Sequence, residues 1–171
     1  MLMLLFQEAF QEFLARERDN IRANISERNL CGRLMLSLDA ARIRHGLEHY
    51  YTDAEYNRNY GDIERVRHTQ RRSNIITCDL ILHSRGQMAD DNLIAIEMKK
   101  KFHTEASKKA DRKRLIALTR TQEAASKLSR RADHVYGYQL GLFIEIDTEA
   151  PAYLLEIYER GARVDKQQSS F

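Results

Sequence analysis

Two strand-like segments, "RSNIITCDLILH" and "NLIAIEMKK", place Asp79, Glu97 and Lys99 in otherwise apolar surroundings. Carboxylates and a lysine are costly there unless something compensates their lost hydration. A divalent cation would do so: two carboxylates with open positions suit Mg2+, which takes oxygen ligands, keeps waters and engages substrate phosphates. Such an ion polarises a phosphoryl oxygen and lowers the pKa of an attacking water. A neighbouring lysine orients that water and stabilises the charge that builds on a pentacovalent phosphate. Together these side chains make a hydrolytic set. The opposing reading puts Asp79 and Glu97 at strand edges, with Lys99 merely salt-bridged to one of them on a wet surface.

Strand alternation decides which side chains can meet. Glu97 and Lys99 share one face of their strand, while Ile94, Ile96 and Met98 share the other. In the preceding strand Asp79 lies with Thr77 and Ile81, opposed by Ile76, Cys78, Leu80 and Leu82 on the expected core side. The polar stretch "SRGQMADDNL" between the two strands predicts an antiparallel hairpin that brings Asp79 beside Glu97. The E-x-K triplet alone carries little weight. Its weight comes from Asp79 and the triplet standing on two successive apolar strands followed by a basic helix.

The elements around this hairpin follow from periodicity. Phe6, Phe10, Phe13, Leu14 and Ile21 recur at helical spacing and predict an amphipathic helix over residues 5–21. Ser26 is an N-cap candidate for "ERNLCGRLMLSLDAAR", with Leu30, Leu34 and Leu38 on one side and Glu27 in the first turn, where the helix dipole favours a carboxylate. Gly46 ends that helix, and one short strand is expected in "LEHYYTDAEYNRNYGD". After Lys101 a helix returns, with Asp111 as candidate N-cap for "RKRLIALT" and continuation towards Ala132. In "YGYQLGLFIEID" Tyr138, Leu140, Leu142, Ile144 and Ile146 alternate onto one face, "AYLLEIYE" forms another strand, and the tail "KQQSSF" is expected to fray.

With 171 residues, 43% hydrophobic residues and a single proline, the chain suits one compact domain without long linkers. The "MLMLLF" start lacks the basic region and cleavage site of a signal peptide. No apolar run approaches the about 20 residues that span a bilayer. Cys31 and Cys78 form no ligand spacing, so a reducing, cytoplasmic setting without membrane contact is expected. The net charge of +3 hides a division: residues 99–131 hold 12 Lys or Arg against 3 acids, a balance of +9, while the remainder holds 16 against 22, a balance of −6. Such a segment suits a polyanion, nucleic acid being the commonest, although a solvated helix face is the equally weighted bland reading.

At this point the sequence resembles the PD-(D/E)xK, restriction-endonuclease-like superfamily, through Asp79 in "CDLILH" and Glu97-Met98-Lys99 in "IEMKK". It is similar in particular to a bacterial group with an acidic helix start, an "EYNR" stretch and a "D…H.R" strand. Here these are Glu27, Glu55 to Arg58, and Asp79, His83 and Arg85. The resemblance covers about residues 26–147, with Cys78 where the superfamily name has proline.

It implies an α/β fold: a mixed central sheet flanked by helices in αβββαβ order, extended by an N-terminal helix over residues 1–24 and a C-terminal strand and tail over residues 148–171. It also implies a Mg2+- or Mn2+-dependent endonuclease or exonuclease acting on nucleic acid, most readily DNA, with a homodimer left open. Asp79, Glu97 and the Met98 carbonyl would hold the metal, Lys99 would handle the nucleophilic water, and Glu27 would add an acid acting through water or else serve only the helix dipole. Glu55 and Arg58 would edge the site or form an ordinary surface ion pair, and His83 would meet phosphate or simply close its strand. Lys100, Lys101, Lys108, Lys109, Arg112, Lys113, Arg114 and Arg120 would grip the phosphate backbone, some of them only solvated.

The letters "HGLEH" at residues 45–49 match the H-x-x-E-H of inverted zincins, but Gly46 and the tyrosines after it end the helix such a site needs. No P-loop, dinucleotide fingerprint, GxSxG elbow or paired CxxC occurs. The main competing reading is a nuclease-like fold that binds nucleic acid or protein without cleaving. A third is an interaction protein whose basic helix meets an acidic partner.

Overall fold

A computed structural model of the chain describes residues 1–55, 78–121 and 137–171. In chain order its elements are α1 (Leu2–Arg22), α2 (Glu27–Arg44), β1 (Tyr51–Ala54), β2 (Leu80–His83), β3 (Asn92–Lys100), α3 (Glu105–Leu118), β4 (Leu140–Asp147), β5 (Ala152–Glu159) and β6 (Ala162–Ser170). The strands form one open, mixed six-stranded sheet in sequential order β1 to β6. All neighbours are antiparallel except β3 and β4, which run parallel on either side of the α3 connection. The protein is therefore α/β. Among the described residues no helix is long and apolar enough to cross a membrane.

The two faces of the sheet are packed differently. α1 and α2 cover one face, where Leu80, Leu82, Ile94, Ile96, Met98 and Leu142 meet the α1 stripe of Leu5, Phe6, Phe10 and Phe13. Phe10 stacks on Phe6 with centroids 5.3 Å apart and meets Tyr153 of β5 edge-on at 4.9 Å. This aromatic row fixes α1 across the sheet with offset and T-shaped contacts. Among the described residues α3 covers the other face, over Ile81, Ala95, Phe143 and Tyr158. The close approach there depends on Gly141: a Cβ at that position would stand 2.7 Å from Thr119 Cγ2.

Several expectations hold. Ser26 caps α2, its side chain accepting from the Asn29 amide. The β2–β3 hairpin is antiparallel in the register Leu80 to Ile96, so Asp79 stands one step beyond that pair, opposite Glu97. A short strand, β1, does follow α2.

Others are corrected. Asp111 does not cap α3; Thr104 does, its hydroxyl accepting from Ser107 N, which starts the helix at Glu105 and leaves Asp111 two turns inside it. The C-terminal tail does not fray. Residues 162–170 form β6, antiparallel to β5, so two strands rather than one follow the αβββαβ series. Every β6 side chain is exposed, and the strand is held by its backbone ladder to β5 together with ion pairs from Arg163 and Lys166 to Glu156. Cys78 packs with Ile81 and Leu115 on the α3 side rather than with Leu80, because the chain bends at Asp79 before β2 begins. Tyr138 likewise joins the α3-side cluster, ahead of the regular alternation that starts at Leu140. Arg58, the helical continuation towards Ala132 and the first part of the strand expected before Cys78 lie outside the described residues.

Candidate active site

The C-terminal end of β3 meets the N-terminus of α2 on one side and the first half of α3 on the other. Lys99 is the hub. Its ammonium donates to Glu27 Oε1 at 2.8 Å and to the Met98 carbonyl at 3.2 Å. It also lies 3.3 Å from Asp111 Oδ2 and 3.8 Å from Asp79 Oδ2. Asp79 is fixed in turn by the Met98 amide, which donates to its Oδ2 at 2.9 Å. Glu27 accepts a second bond from the Lys100 amide at 3.2 Å, and His103 Nε2 stands 3.3 Å from it. Thus Asp79 and Lys99 come together, as strand alternation predicts, and Glu27 joins them, as the family resemblance implies.

Glu97 lies deepest. It is 0% exposed, and neither carboxylate oxygen has a hydrogen-bond partner among the described residues. Its one ionic neighbour there is Arg114 of α3, with Nε 3.3 Å from Oε1. Burial, reinforced by the Asp79 charge, pushes the Glu97 carboxyl well above the usual carboxylate range, and Arg114 offsets only part of this. Lys99 is perturbed in the opposite sense to simple burial. Desolvation works to lower its pKa, but the Glu27 hydrogen bond and the Asp79 and Asp111 charges outweigh it, so the ammonium stays charged. Cys31 on α2 and Cys78 are both buried thiols whose ionisation burial opposes, with Asp79 adding to the effect. They are inert packing groups.

Four carboxylates (Glu27, Asp79, Glu97 and Asp111) therefore face two cations, Lys99 and Arg114. When all four are ionised the local balance is −2, which one divalent cation would cancel. Among the described residues no three His, Cys, Asp or Glu side chains form a group able to hold a metal ion by themselves. An ion bound there would have two carboxylates to draw on, Asp79 and Glu97, with backbone oxygen beside them. That suits an ion that keeps much of its own water, as Mg2+ does. The Glu97 oxygens, which accept no hydrogen bond among the described residues, and the −2 balance fit such an ion.

Asp111 is the residue that sequence reading missed. Lys108, Asp111, Leu115 and Leu118 are the buried positions of α3. Their spacing of three, four and three marks one helix face, so an acid within that stripe had to point inward. Glu55 edges the cluster: its carboxylate takes a bidentate pair from Arg28, beside Glu27, and its amide donates to the Asp79 carbonyl. His83 is elsewhere. It is buried at the far end of β2, with Nε2 2.9 Å from Asp53 Oδ2, and Arg85 joins the same carboxylate. His45 closes α2 as its C-cap and bonds Glu8, so "HGLEH" forms no paired-histidine helix face.

The basic residues divide sharply. Lys100 is buried and bonds the Asn24 carbonyl and side chain, and Lys108 is buried between Glu105, Glu145 and the Lys101 carbonyl. Arg112 lies over the Phe143 ring and pairs with Glu156; Lys101 pairs with Asp147; Arg114 pairs with Asp111. Lys109 and Lys113 point outward from α3, and Arg120 is half-buried at its end. Three cations of the segment, Lys101, Lys108 and Arg112, are therefore paired with acids from distant strands. Comparison of the chain with family models, with curated proteins and with solved structures returned no match in any of the three.

Proposed function

We propose that this protein is a metal-dependent nuclease of PD-(D/E)xK type, hydrolysing phosphodiester bonds in nucleic acid, most readily DNA, on a restriction-endonuclease-like core. The observation that carries the reading is Glu97. A fully buried carboxylate that accepts no hydrogen bond among the described residues and has a single ion-pair contact, Arg114, next to Asp79 and a charged lysine, is a poor structural element and a good half-built cation site. The αβββαβ order of α2 to β4 and the position of Asp79 opposite Glu97 support the same reading.

Asp79, Glu97 and the Met98 carbonyl would hold Mg2+ or Mn2+. The ion would supply Lewis-acid polarisation of the phosphoryl oxygen and a more acidic bound water. Lys99, kept charged by its carboxylates, does not serve as a base. It orients the attacking water and stabilises negative charge as it develops on phosphorus. Glu27 fixes the lysine and, with the His103 imidazole near it, forms the α2 wall of the site. Lys109 and Lys113 are the outward cations of α3 available to a phosphate backbone.

The test is cleavage of duplex, single-stranded and branched DNA and of RNA with Mg2+ or Mn2+. Wild type should cut at least one substrate, in a pattern that distinguishes endonuclease from exonuclease, and Asp79→Ala and Glu97→Ala should abolish turnover. A wild type inert on every substrate with both metals would replace this reading with a binding module on a nuclease-like fold.

A further inference from the structure

Lys99 has three ammonium protons to place. One goes to Glu27 Oε1 and one to the Met98 carbonyl. Among the described residues the third has no hydrogen-bond acceptor of its own, yet 3.3 Å away lies Asp111 Oδ2, a buried oxygen that accepts no hydrogen bond from any of them. We propose that Asp111 is a positioning residue for Lys99: α3 presents this carboxylate so that, with Glu27 from α2, it fixes the lysine nitrogen from the opposite side, beside Asp79.

An ordinary structural role accounts for only half of this carboxylate. Its Oδ1 takes the Arg114 guanidinium at 2.8 Å, one turn along the same helix, a pair that would form equally well on an outward face. The helix instead turns Asp111 inward to 3% exposure, where an acid with an oxygen lacking a hydrogen bond is expensive. The compensation available is the lysine. The other charged groups around the Lys99 end of β3 are committed elsewhere or stand farther off. Glu145, its register partner on β4, holds Lys108; Glu97 faces Arg114; Asp79 is at 3.8 Å and bonded to the Met98 amide; His103 approaches Glu27. Glu27 and Asp111 thus reach one ammonium from α2 and α3, the helices of the two opposite layers. The geometry of the lysine then depends on how both layers are seated on the sheet.

The kinetic part of the test rests on the nuclease reading; the spectroscopic part does not. An ammonium held by two acceptors and a third, buried carboxylate 3.3 Å away exchanges its protons slowly enough to give a 1H–15Nζ correlation at neutral pH, assigned here by its loss in Lys99→Arg. That signal should be present in wild type and in Glu105→Gln, which alters an exposed acid on the same helix, and absent in Asp111→Asn and Asp111→Ala measured below their melting temperatures. In turnover, Asp111→Asn should lower kcat about 100-fold, the cost of a displaced reacting group, with KM and Mn2+ affinity unchanged, and Asp111→Glu should recover part of the loss. A Lys99 signal that persists in both Asp111 variants overturns the proposal, as does a loss of Mn2+ affinity matching that of Glu97→Gln. If wild type cuts nothing, the nuclease reading fails while the Nζ signal still decides what Asp111 does.

Discussion

Glu97 and Glu156 are two buried glutamates on one face of the sheet, both in register with Phe143, one on each side of it. Glu156 is saturated. It accepts from the Tyr158 hydroxyl at 2.7 Å and from Arg112 at 2.9 Å, with Arg163 at 3.3 Å. Burial works to raise its pKa, but these hydrogen bonds outweigh that and hold the carboxyl below the usual range. Glu97, at comparable depth, has among the described residues one cation at 3.3 Å and no hydrogen bond, and a pKa driven the other way. The same residue type at the same depth is thus a finished structural ion pair in one place and an uncompensated charge in the other. What separates them is the supply of donors, and a site meant to bind a cation must leave its donors out.

The largest effects should appear in turnover. Glu97→Ala and Asp79→Ala should reduce it to background, and Lys99→Ala should cost about 10²- to 10³-fold in kcat, as removal of a group that stabilises developing charge does. Lys99→Ala should keep its Mn2+ affinity, because in the proposed site the carboxylates would hold the ion. A Lys99→Ala protein that turns over normally would remove the lysine from the chemistry.

Stability should show the reverse ranking. Glu156→Ala leaves Arg112 and the Tyr158 hydroxyl without their acceptor and should cost about 3–5 kcal/mol in urea unfolding, as breaking a buried pair does. Glu97→Gln removes a buried charge lacking hydrogen bonds and should stabilise the protein by about 1 kcal/mol, within the penalty of an unsatisfied buried group. Equal losses in both variants would erase the distinction.

The two residues should also leave opposite signatures in pH. A carboxyl raised above its ordinary 4.5 stabilises the fold fully below that value and loses the contribution as pH rises through the folded pKa. The advantage of Glu97→Gln over wild type should therefore grow from acid to neutral pH and beyond. Glu156 is lowered from the same 4.5, so its contribution is present above that value and lost as pH falls through the folded pKa. The deficit of Glu156→Gln should be greatest near neutrality and vanish in acid. Thermal melts of wild type and the two variants between acid and mildly alkaline pH check both slopes.

The smallest effect concerns the basic helix. Lys109→Glu with Lys113→Glu should weaken nucleic-acid binding and flatten the slope of log affinity against log salt by about 2, near one unit for each lost phosphate contact. Lys108→Glu should instead impair folding, because that ammonium is buried against Glu145 and the Lys101 carbonyl. An unchanged salt slope in the double variant would take α3 out of the interface.

Local patterns made much of this legible. The α1 stripe, the Ser26 cap, the hairpin and the meeting of Asp79 with Glu97 and Lys99 follow from periods of 3.6 and 2 and from one turn. What escaped was non-local or unpatterned. The run of basic residues after Lys99 reads as a free positive patch only until Asp147 and Glu156, 46 and 44 residues away, reach Lys101 and Arg112. β6 has neither apolar alternation nor burial, and its existence rests on pairing with β5. Asp111 looked like a cap because short polar residues favour helix starts; Thr104 already filled that role, and the inward stripe of α3 was the signal to follow.

The central claim is that Glu97 is left unsatisfied because a cation belongs there, and calorimetric titration of Mn2+ tests it most directly. Wild type and Glu156→Gln should each bind one ion at neutral pH with similar affinity, and Glu97→Gln should not bind it at the same concentrations. A wild type that takes up no ion, or a Glu97→Gln protein that binds as tightly as wild type, would contradict the account.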